Sequence, residues 1–151
     1  MKITKKGEYA LRALLALSSV YDEHTLALRQ IAKEEKIPYK FLEQIMILLK
    51  KTRFVKSTQG KFGGYALARS PKEITLGEII RSVEGPISPI GTVEEIKRKI
   101  KSEDKHPGLY ATLLDVRDAI ADILDQQTLA DICEKSRELS GSKSPYQMYY
   151  I

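Results

Sequence analysis

The chain has 151 residues, a length at which we expect one folded domain plus an element for oligomerisation. Hydrophobic residues make up 42% of it, but no apolar run approaches the roughly 18 residues of a membrane span. The single cysteine excludes an intramolecular disulfide framework. Because the first residues also lack the apolar segment of a secretory signal, we expect a cytoplasmic protein without a membrane partner.

The net charge of +5 is unevenly distributed along the chain. Residues 1–69 hold 14 Lys and Arg against 6 Asp and Glu, a balance of +8, whereas residues 70–151 hold 11 against 14, a balance of −3. A basic N-terminal half is typical of a nucleic-acid-binding domain. Basic surfaces also arise by chance, so charge alone does not establish nucleic-acid binding and the sequence motifs are needed as well.

The first half of the chain predicts three helices. The first covers residues 5–21, the second 28–35, and the third begins at Pro38 and ends near Thr52. The inward positions of the third helix are Phe41, Leu42, Ile45, Leu48 and Leu49. Its outward side begins with Tyr39, Lys40, Glu43 and Gln44. Two helices joined by a tight turn, the second polar at its exposed start, are typical of a helix-turn-helix.

A glycine-rich segment follows the third helix directly. Three glycines lie between residues 60 and 64, flanked by the short apolar runs 54–55 and 65–67. This pattern predicts a β-hairpin whose turn needs positive φ angles. Lys56, Lys61 and Arg69 make the hairpin basic. A basic hairpin after a candidate recognition helix is the wing of a winged helix-turn-helix, which contacts the DNA backbone or enters a minor groove.

The second half of the chain predicts more helices and a tail. A capping box at Thr75 and Glu78 begins a fourth helix that ends near Glu84. Residues 85–91 are a linker rich in Pro and Gly, and residues 92–105 are either a loop or a weakly held helix. The longest amphipathic helix covers 109–127, and a last helix ends near residue 139. We therefore expect a mainly α fold with a small β-hairpin. Its predicted parts are a DNA-binding domain (1–84), a linker (85–108), dimerisation helices (109–139) and a tail (140–151).

The long helix has an apolar stripe that needs a partner surface. Its members are Leu113, Val116, Ile120, Ile123 and Leu124. The stripe packs either on its own domain or on a second chain. We favour a homodimer, because one recognition helix buries too little DNA surface to be specific.

Three motifs in register resemble the Rrf2 (Rrf-two) type winged-helix regulators, the family of IscR, NsrR and CymR. They are residues 1–10, the run Phe41-Leu42-Glu43-Gln44-Ile45, and the pattern Gly60-x-x-Gly63-Gly64-Tyr65. Residues 76–90 and the last four residues are similar to the CymR branch, the repressors of cysteine metabolism. The resemblance covers nearly the whole chain. It implies a homodimer, joined by the long helix and bound to a palindromic operator in double-stranded DNA.

By this resemblance Tyr39, Lys40, Glu43 and Gln44 enter the major groove. Their chemistry agrees, since Gln pairs with adenine, Glu accepts from cytosine N4 and Lys reaches guanine or phosphate. Two alternatives stay open: Glu43 bonds within its own helix, or Tyr39 packs on the first helix.

Two positions depart from the family pattern. Many relatives have an Arg that enters the minor groove where this chain has Gln59, so Arg53, Lys56 or Lys61 would supply the positive charge. Relatives also usually have a helix-capping Ser near the position of Pro38.

Several family members hold an iron–sulfur cluster through three cysteines, but residues 90–107 contain none, so we expect no cofactor. Glu8 matches a carboxylate ligand of some relatives; here an ion pair with Arg12, one turn later, is the preferred interpretation. We interpret Cys133 as a buried structural thiol, with a redox switch as the alternative. His24 and His106 are too far apart in sequence to indicate a metal site.

The last residues suggest a route for regulation. The aromatic tail ending in Tyr150 and Ile151 resembles the end of CymR and the end by which serine acetyltransferase docks in cysteine synthase. Our hypothesis is that this tail binds cysteine synthase; the alternative is that it packs on the dimer.

The sequence favours a DNA-binding regulator, and specifically a repressor, over two alternatives. One alternative is a regulator of another stress or metabolic operon that senses a small molecule or redox state. The other is a protein-interaction adaptor. The sequence has no nucleophile elbow, phosphate loop or metal-ligand spacing, so we expect no enzyme.

Overall fold

The computed structural model describes residues 1–102 and 104–141. These residues form seven α-helices and one two-stranded sheet, which confirms the expected fold class. In chain order the elements are α1 (Lys5–Ser18), α2 (Leu28–Glu35), α3 (Tyr39–Lys51), β1 (Val55–Thr58), β2 (Gly64–Leu67), α4 (Leu76–Glu84), α5 (Val93–Lys101), α6 (Pro107–Gln126) and α7 (Leu129–Ser140). None of the helices in this part of the chain has the length and apolarity that crossing a membrane requires.

Helix α1 ends at Ser18, three residues before its predicted end. The hydroxyls of Ser18 and Ser19 donate to the carbonyls of Leu14 and Ala16, at 2.7 Å each. Such local bonds compete with continuation of a helix. The chain then turns, and Asp22 takes a positive φ of 62°. The apolar periodicity continues through this segment, which is why the sequence predicts a longer helix.

The turn between α2 and α3 sets the helix-turn-helix. Lys36 is left-handed, with φ of 55°, and Ile37 is buried at 3% exposure. Pro38 is the N-cap of α3, not its first residue as predicted, because its ψ of 128° is not helical. Helix α3 thus starts one residue later than the sequence predicts.

The main core lies where α1 contacts α2, α3, α4 and α7. From α3 it receives Leu42, Ile45, Met46 and Leu49. The prediction that Phe41 and Leu48 point inward was wrong in degree: Phe41 is 37% exposed and Leu48 is half-buried. Met46 is fully buried in their place, because Leu42, Met46 and Leu49 recur at helical spacing on one face.

The wing is the β1–β2 hairpin, paired antiparallel with Val55 opposite Leu67. It is fastened to the loop before α2, where Leu26 and Tyr65 exchange two backbone hydrogen bonds of 2.9 and 2.8 Å. Gly64 permits this close approach, since a Cβ there would lie 2.6 Å from the Leu26 carbonyl oxygen. The hairpin therefore has a fixed position relative to the helices.

The second half contains a smaller core of Ile80, Ile87 and Ala121. Of the two alternatives for residues 92–105, the structure has a helix, α5, which begins with a capping box between Thr92 and Glu95. Ile96 is buried, and α5 packs along α6. Helix α6 begins two residues before its predicted start, with a proline in the first position that favours a helix.

Candidate nucleic-acid interface

The start of α3 presents a polar face outside the core. The side chain of Lys40 is 93% exposed, Gln44 is exposed, and Tyr39 is 39% exposed. Glu43 is half-buried and lies 4.0 Å from the Lys40 ammonium, a weak ion pair within the helix. The structure thus brings together all four residues that the sequence predicted for the major groove. The ring that packs on α1 is Phe41, in an edge contact with Tyr9 at 5.5 Å.

The N-terminus of α3 has no side-chain cap, because Pro38 occupies the capping position. A helix start leaves backbone N–H groups without partners inside the helix and carries a partial positive charge. Such a start suits an anionic group such as a DNA phosphate.

The wing carries the second group of predicted contacts. Lys56, Gln59 and Lys61 are all exposed on it, and Arg53 is exposed in the turn that leads to it. The Lys50 ammonium donates to the Ser57 hydroxyl at 2.8 Å, which joins the end of α3 to β1.

Arg69, which the sequence places among the basic residues of the wing, forms hydrogen bonds within its own chain. Its guanidinium donates to the Glu78 carboxylate at 3.0 Å and to the Glu73 carbonyl at 2.9 Å. These partners lie four and nine residues later, across the turn into α4, where no helical spacing indicates them.

Sequence reasoning missed two exposed apolar residues of this surface. Ile47 is 61% exposed, and helical spacing places it one turn after Glu43 and Gln44 on the outward face of α3. Phe62 is 85% exposed in the turn of the wing. The signal for Ile47 was available, because the same periodicity that places Gln44 outward also places residue 47 outward.

Comparison with known proteins identifies the family to which this chain belongs. A family model described as Rrf2, iron-dependent transcriptional regulator, matches residues 3–135. The chain belongs to the Rrf2 family. It is 35% identical to the HTH-type transcriptional regulator CymR of Bacillus subtilis strain 168, over 100% of both chains. It is therefore a CymR-like Rrf2 transcriptional regulator with a helix-turn-helix.

Solved structures agree with this assignment. The structure of CymR, the global cysteine regulator of B. subtilis, matches with a TM-score of 0.78 and 35% identity, over 89% of this chain and 98% of that one. An IscR structure from T. potens matches with a TM-score of 0.72 and 31% identity, over 99% and 97% of the two chains. These likenesses support the predicted fold and family together.

The iron in the family description does not fit this Rrf2 chain. An iron–sulfur cluster is usually held by several thiolates, and the sequence contains one cysteine. Among the described residues, no three His, Cys, Asp or Glu side chains are grouped as a metal ion would require. No step in its function is therefore assigned to iron.

The predicted ion pair between Glu8 and Arg12 was wrong. Glu8 pairs with Lys5 at 3.5 Å, and Arg12 reaches across to Glu35 on α2 at 3.4 Å. Both residues thus have other charged partners. The error arose because spacing along one helix says nothing about a neighbouring helix.

Cys133, predicted to be a buried structural thiol, is only half-buried on α7. Desolvation raises its pKa above the ordinary value, although Arg137 and a hydrogen bond with Ser18 act in the opposite direction. Since the thiolate is the reactive form, the raised pKa lowers the reactivity of this cysteine.

The predicted dimerisation stripe on α6 is divided in two. Ile120 and Leu124 pack against the small core of Ile80, Ile87 and Ala121. Val116 and Ile123 are 43% and 64% exposed, and Leu113 is half-buried. Part of the stripe therefore serves its own chain, and part remains on the surface.

Proposed function

We propose that this Rrf2 regulator is a homodimeric repressor of cysteine and sulfur metabolism genes that binds a palindromic operator. The observation that carries the proposal is the exposed polar start of α3 beside an anchored basic wing. The full-length likeness to CymR, whose structure is described as that of a global cysteine regulator, supports the regulated pathway.

In this proposal the start of α3 reads bases in the major groove. Gln44 pairs with adenine, Glu43 accepts from cytosine N4, and Lys40 reaches guanine or a phosphate. Tyr39 donates a hydrogen bond from its hydroxyl to a phosphate of the DNA backbone. Ile47 continues the same face and offers an apolar contact to a thymine methyl group.

The basic residues around the wing supply the electrostatic part of binding. Arg53, Lys56 and Lys61 neutralise phosphates, and Gln59 lies where many relatives have a groove-binding Arg. Each phosphate neutralised by a cation releases counterions, so affinity falls as salt rises.

Helix α6 provides the dimer interface through Leu113, Val116, Ile120, Ile123 and Leu124. The exposed Val116 and Ile123 would be buried against the second chain. Ile120 and Leu124 pack on the small core of their own chain and so hold α6 in position. A two-fold dimer would place two copies of α3 on successive half-sites of the operator.

We propose that regulation occurs through the C-terminus. Tyr150 and Ile151 lie outside the described residues, so this step is argued from sequence alone. An isoleucine with a free carboxylate resembles an amino acid, the kind of group that a cysteine synthase pocket accepts. The complex with the synthase would be the DNA-binding form when cysteine is plentiful.

The test is a fluorescence-anisotropy titration of the full chain with DNA from upstream of cysteine-biosynthesis genes, with and without cysteine synthase, at two salt concentrations. Specific binding that weakens steeply with salt and tightens with the synthase supports the proposal. Removing Ile151 should abolish the effect of the synthase but leave binding by the regulator alone unchanged.

Two results would contradict parts of the proposal. Binding that is indifferent to the synthase would remove that partner and keep the regulator. A lack of specific, salt-dependent binding under all conditions would favour the protein-interaction adaptor.

A further inference from the structure

The turn of the wing presents a large aromatic side chain to solvent. Phe62 is 85% exposed, and its neighbour Lys61 is also exposed. Single exposed apolar residues are common on proteins, so exposure alone assigns no role. The position of Phe62, in the turn of a hairpin that belongs to a DNA-binding fold, makes its chemistry informative.

The backbone around Phe62 is held in place. The Thr25 hydroxyl donates to the Phe62 carbonyl at 3.1 Å, and the Gly63 N–H donates to the Gly60 carbonyl at 3.0 Å. Gly60 has φ of 103°, which favours glycine and closes the turn. The wing is also hydrogen-bonded to Leu26, so the backbone that carries the Phe62 ring is already ordered. Binding therefore avoids the entropic cost of ordering a loop.

A cation accompanies the ring. The Lys61 ammonium lies 5.7 Å from the centroid of the Phe62 ring, within the range of a cation–π contact. The turn therefore presents one positive charge and one apolar surface together. A DNA minor groove offers the complementary pair, since its edges are phosphates and its walls are the carbon surfaces of deoxyribose.

We propose that Phe62 enters the minor groove beside each half-site and packs against deoxyribose, while Lys61 pairs with a phosphate at the groove edge. This inference rests on the proposed DNA binding and adds a residue to it. Where many relatives have a minor-groove Arg, this chain has the neutral Gln59. The Phe62 ring would therefore provide an apolar contact in the groove in place of that charged one. Apolar side chains are established minor-groove contacts in other DNA-binding proteins.

The test measures operator affinity over a series of salt concentrations for substitutions at two neighbouring residues, Phe62 and Lys61. Phe62→Ala should weaken operator binding about tenfold at every salt concentration, because an apolar contact releases no counterions. Phe62→Leu should retain most of the affinity. Lys61→Ala should instead reduce the steepness of the salt dependence, by about 0.9 for each phosphate that is no longer neutralised. Ile90→Ala, which removes an exposed apolar side chain outside the wing and the predicted dimerisation helices, is the control.

Hydroxyl-radical footprinting locates the contact, because the radical attacks deoxyribose carbons. With Phe62→Ala, sugars at the flanks of each half-site should become reactive again, while protection at the centre of each half-site persists. An unchanged footprint together with unchanged affinity would overturn the inference. Failure of the wild-type chain to bind DNA would instead overturn the proposed function, so the two failures are distinguishable.

Discussion

Helices α1 and α6 use their apolar residues in opposite ways. Helix α1 has 14 residues and buries six of them, whereas α6 has 20 residues and buries only Ala121. The difference shows that α1 is enclosed by the main core, to which Leu129 of α7 also contributes, whereas α6 leaves apolar side chains on the surface. In our proposal DNA recognition and assembly depend on separate parts of the chain, so mutations should separate them.

The largest effect should come from the core of the winged-helix half. Leu42 is fully buried between α3 and its neighbours, so Leu42→Ala should lower the free energy of unfolding by about 2–5 kcal/mol. Urea denaturation measures the change. Leu139→Ala, at a position 83% exposed, should change it by less than about 0.5 kcal/mol. Similar losses of stability for both variants would contradict the assignment of Leu42 to the core and of Leu139 to the surface.

A smaller effect, of a different kind, should come from α6. Ile123 is 64% exposed in the single chain, so Ile123→Ser should leave the folded chain intact. In a symmetric dimer two copies of the side chain are removed, and we expect association to weaken by about 2–3 kcal/mol. Sedimentation equilibrium measures dimerisation, and circular dichroism checks folding. Ile90→Ser, at a position 46% exposed outside the predicted dimerisation helices, is the control. A dimer that tolerates Ile123→Ser as well as this control would rule out the proposed interface.

The DNA-binding half should show two separable losses of affinity. Gln44→Ala should cost about 1–3 kcal/mol on the cognate operator and little on random DNA, because it removes a base contact. Lys61→Ala should weaken binding to both, because it removes a phosphate contact. Competition titrations with cognate and random duplexes measure both. Equal losses of affinity on the two duplexes for Gln44→Ala would refute its role in reading bases.

Local signals predict most elements of both halves. The capping boxes at Thr75 and Thr128 are readable in the sequence, and both occur in the structure. The capping box at Thr92 has the same Thr-x-x-Glu pattern as the one at Thr75. However, so few residues of α5 are apolar that the sequence permits either a loop or a helix there. What holds α5 is packing along α6, including the burial of Ile96, which no local pattern reports.

Side-chain partners are harder to predict than elements. The sequence assigns Arg12 and Arg69 by their neighbours along the chain, yet both bond to residues of other elements. Helical periodicity places the polar residues Lys40 and Gln44 on the outward face of α3, although the prediction missed Ile47 on the same face. Phe62 has no such signal, since a side chain in a turn has no periodicity to place it.

The smallest expected effect concerns the contact between α4 and α6. The Arg81 guanidinium on α4 donates two hydrogen bonds, of 2.7 and 2.9 Å, to the Asp125 carboxylate on α6. The hydrogen bond from Arg81 lowers the pKa of Asp125 below its ordinary value of 3.8. Both side chains are more than one-third exposed, so solvent screens the pair and we expect it to contribute only about 0.2–1 kcal/mol.

The sign of the pH dependence follows from the lowered pKa. Since the carboxylate is favoured in the folded state, its contribution is complete above the ordinary pKa of 3.8 and disappears as the pH falls through the lower folded value. Asp125→Asn should therefore destabilise the protein at neutral pH but match the wild type in strong acid, as measured by urea unfolding at both. Asp122→Asn makes the same charge change at an exposed position on α6 and is the control. If Asp125→Asn behaved like this control at neutral pH, the contact between α4 and α6 would rest on the apolar packing of Ile80, Ile87 and Ala121 and on the hydrogen bond from the Leu76 N–H to the Gln127 carbonyl.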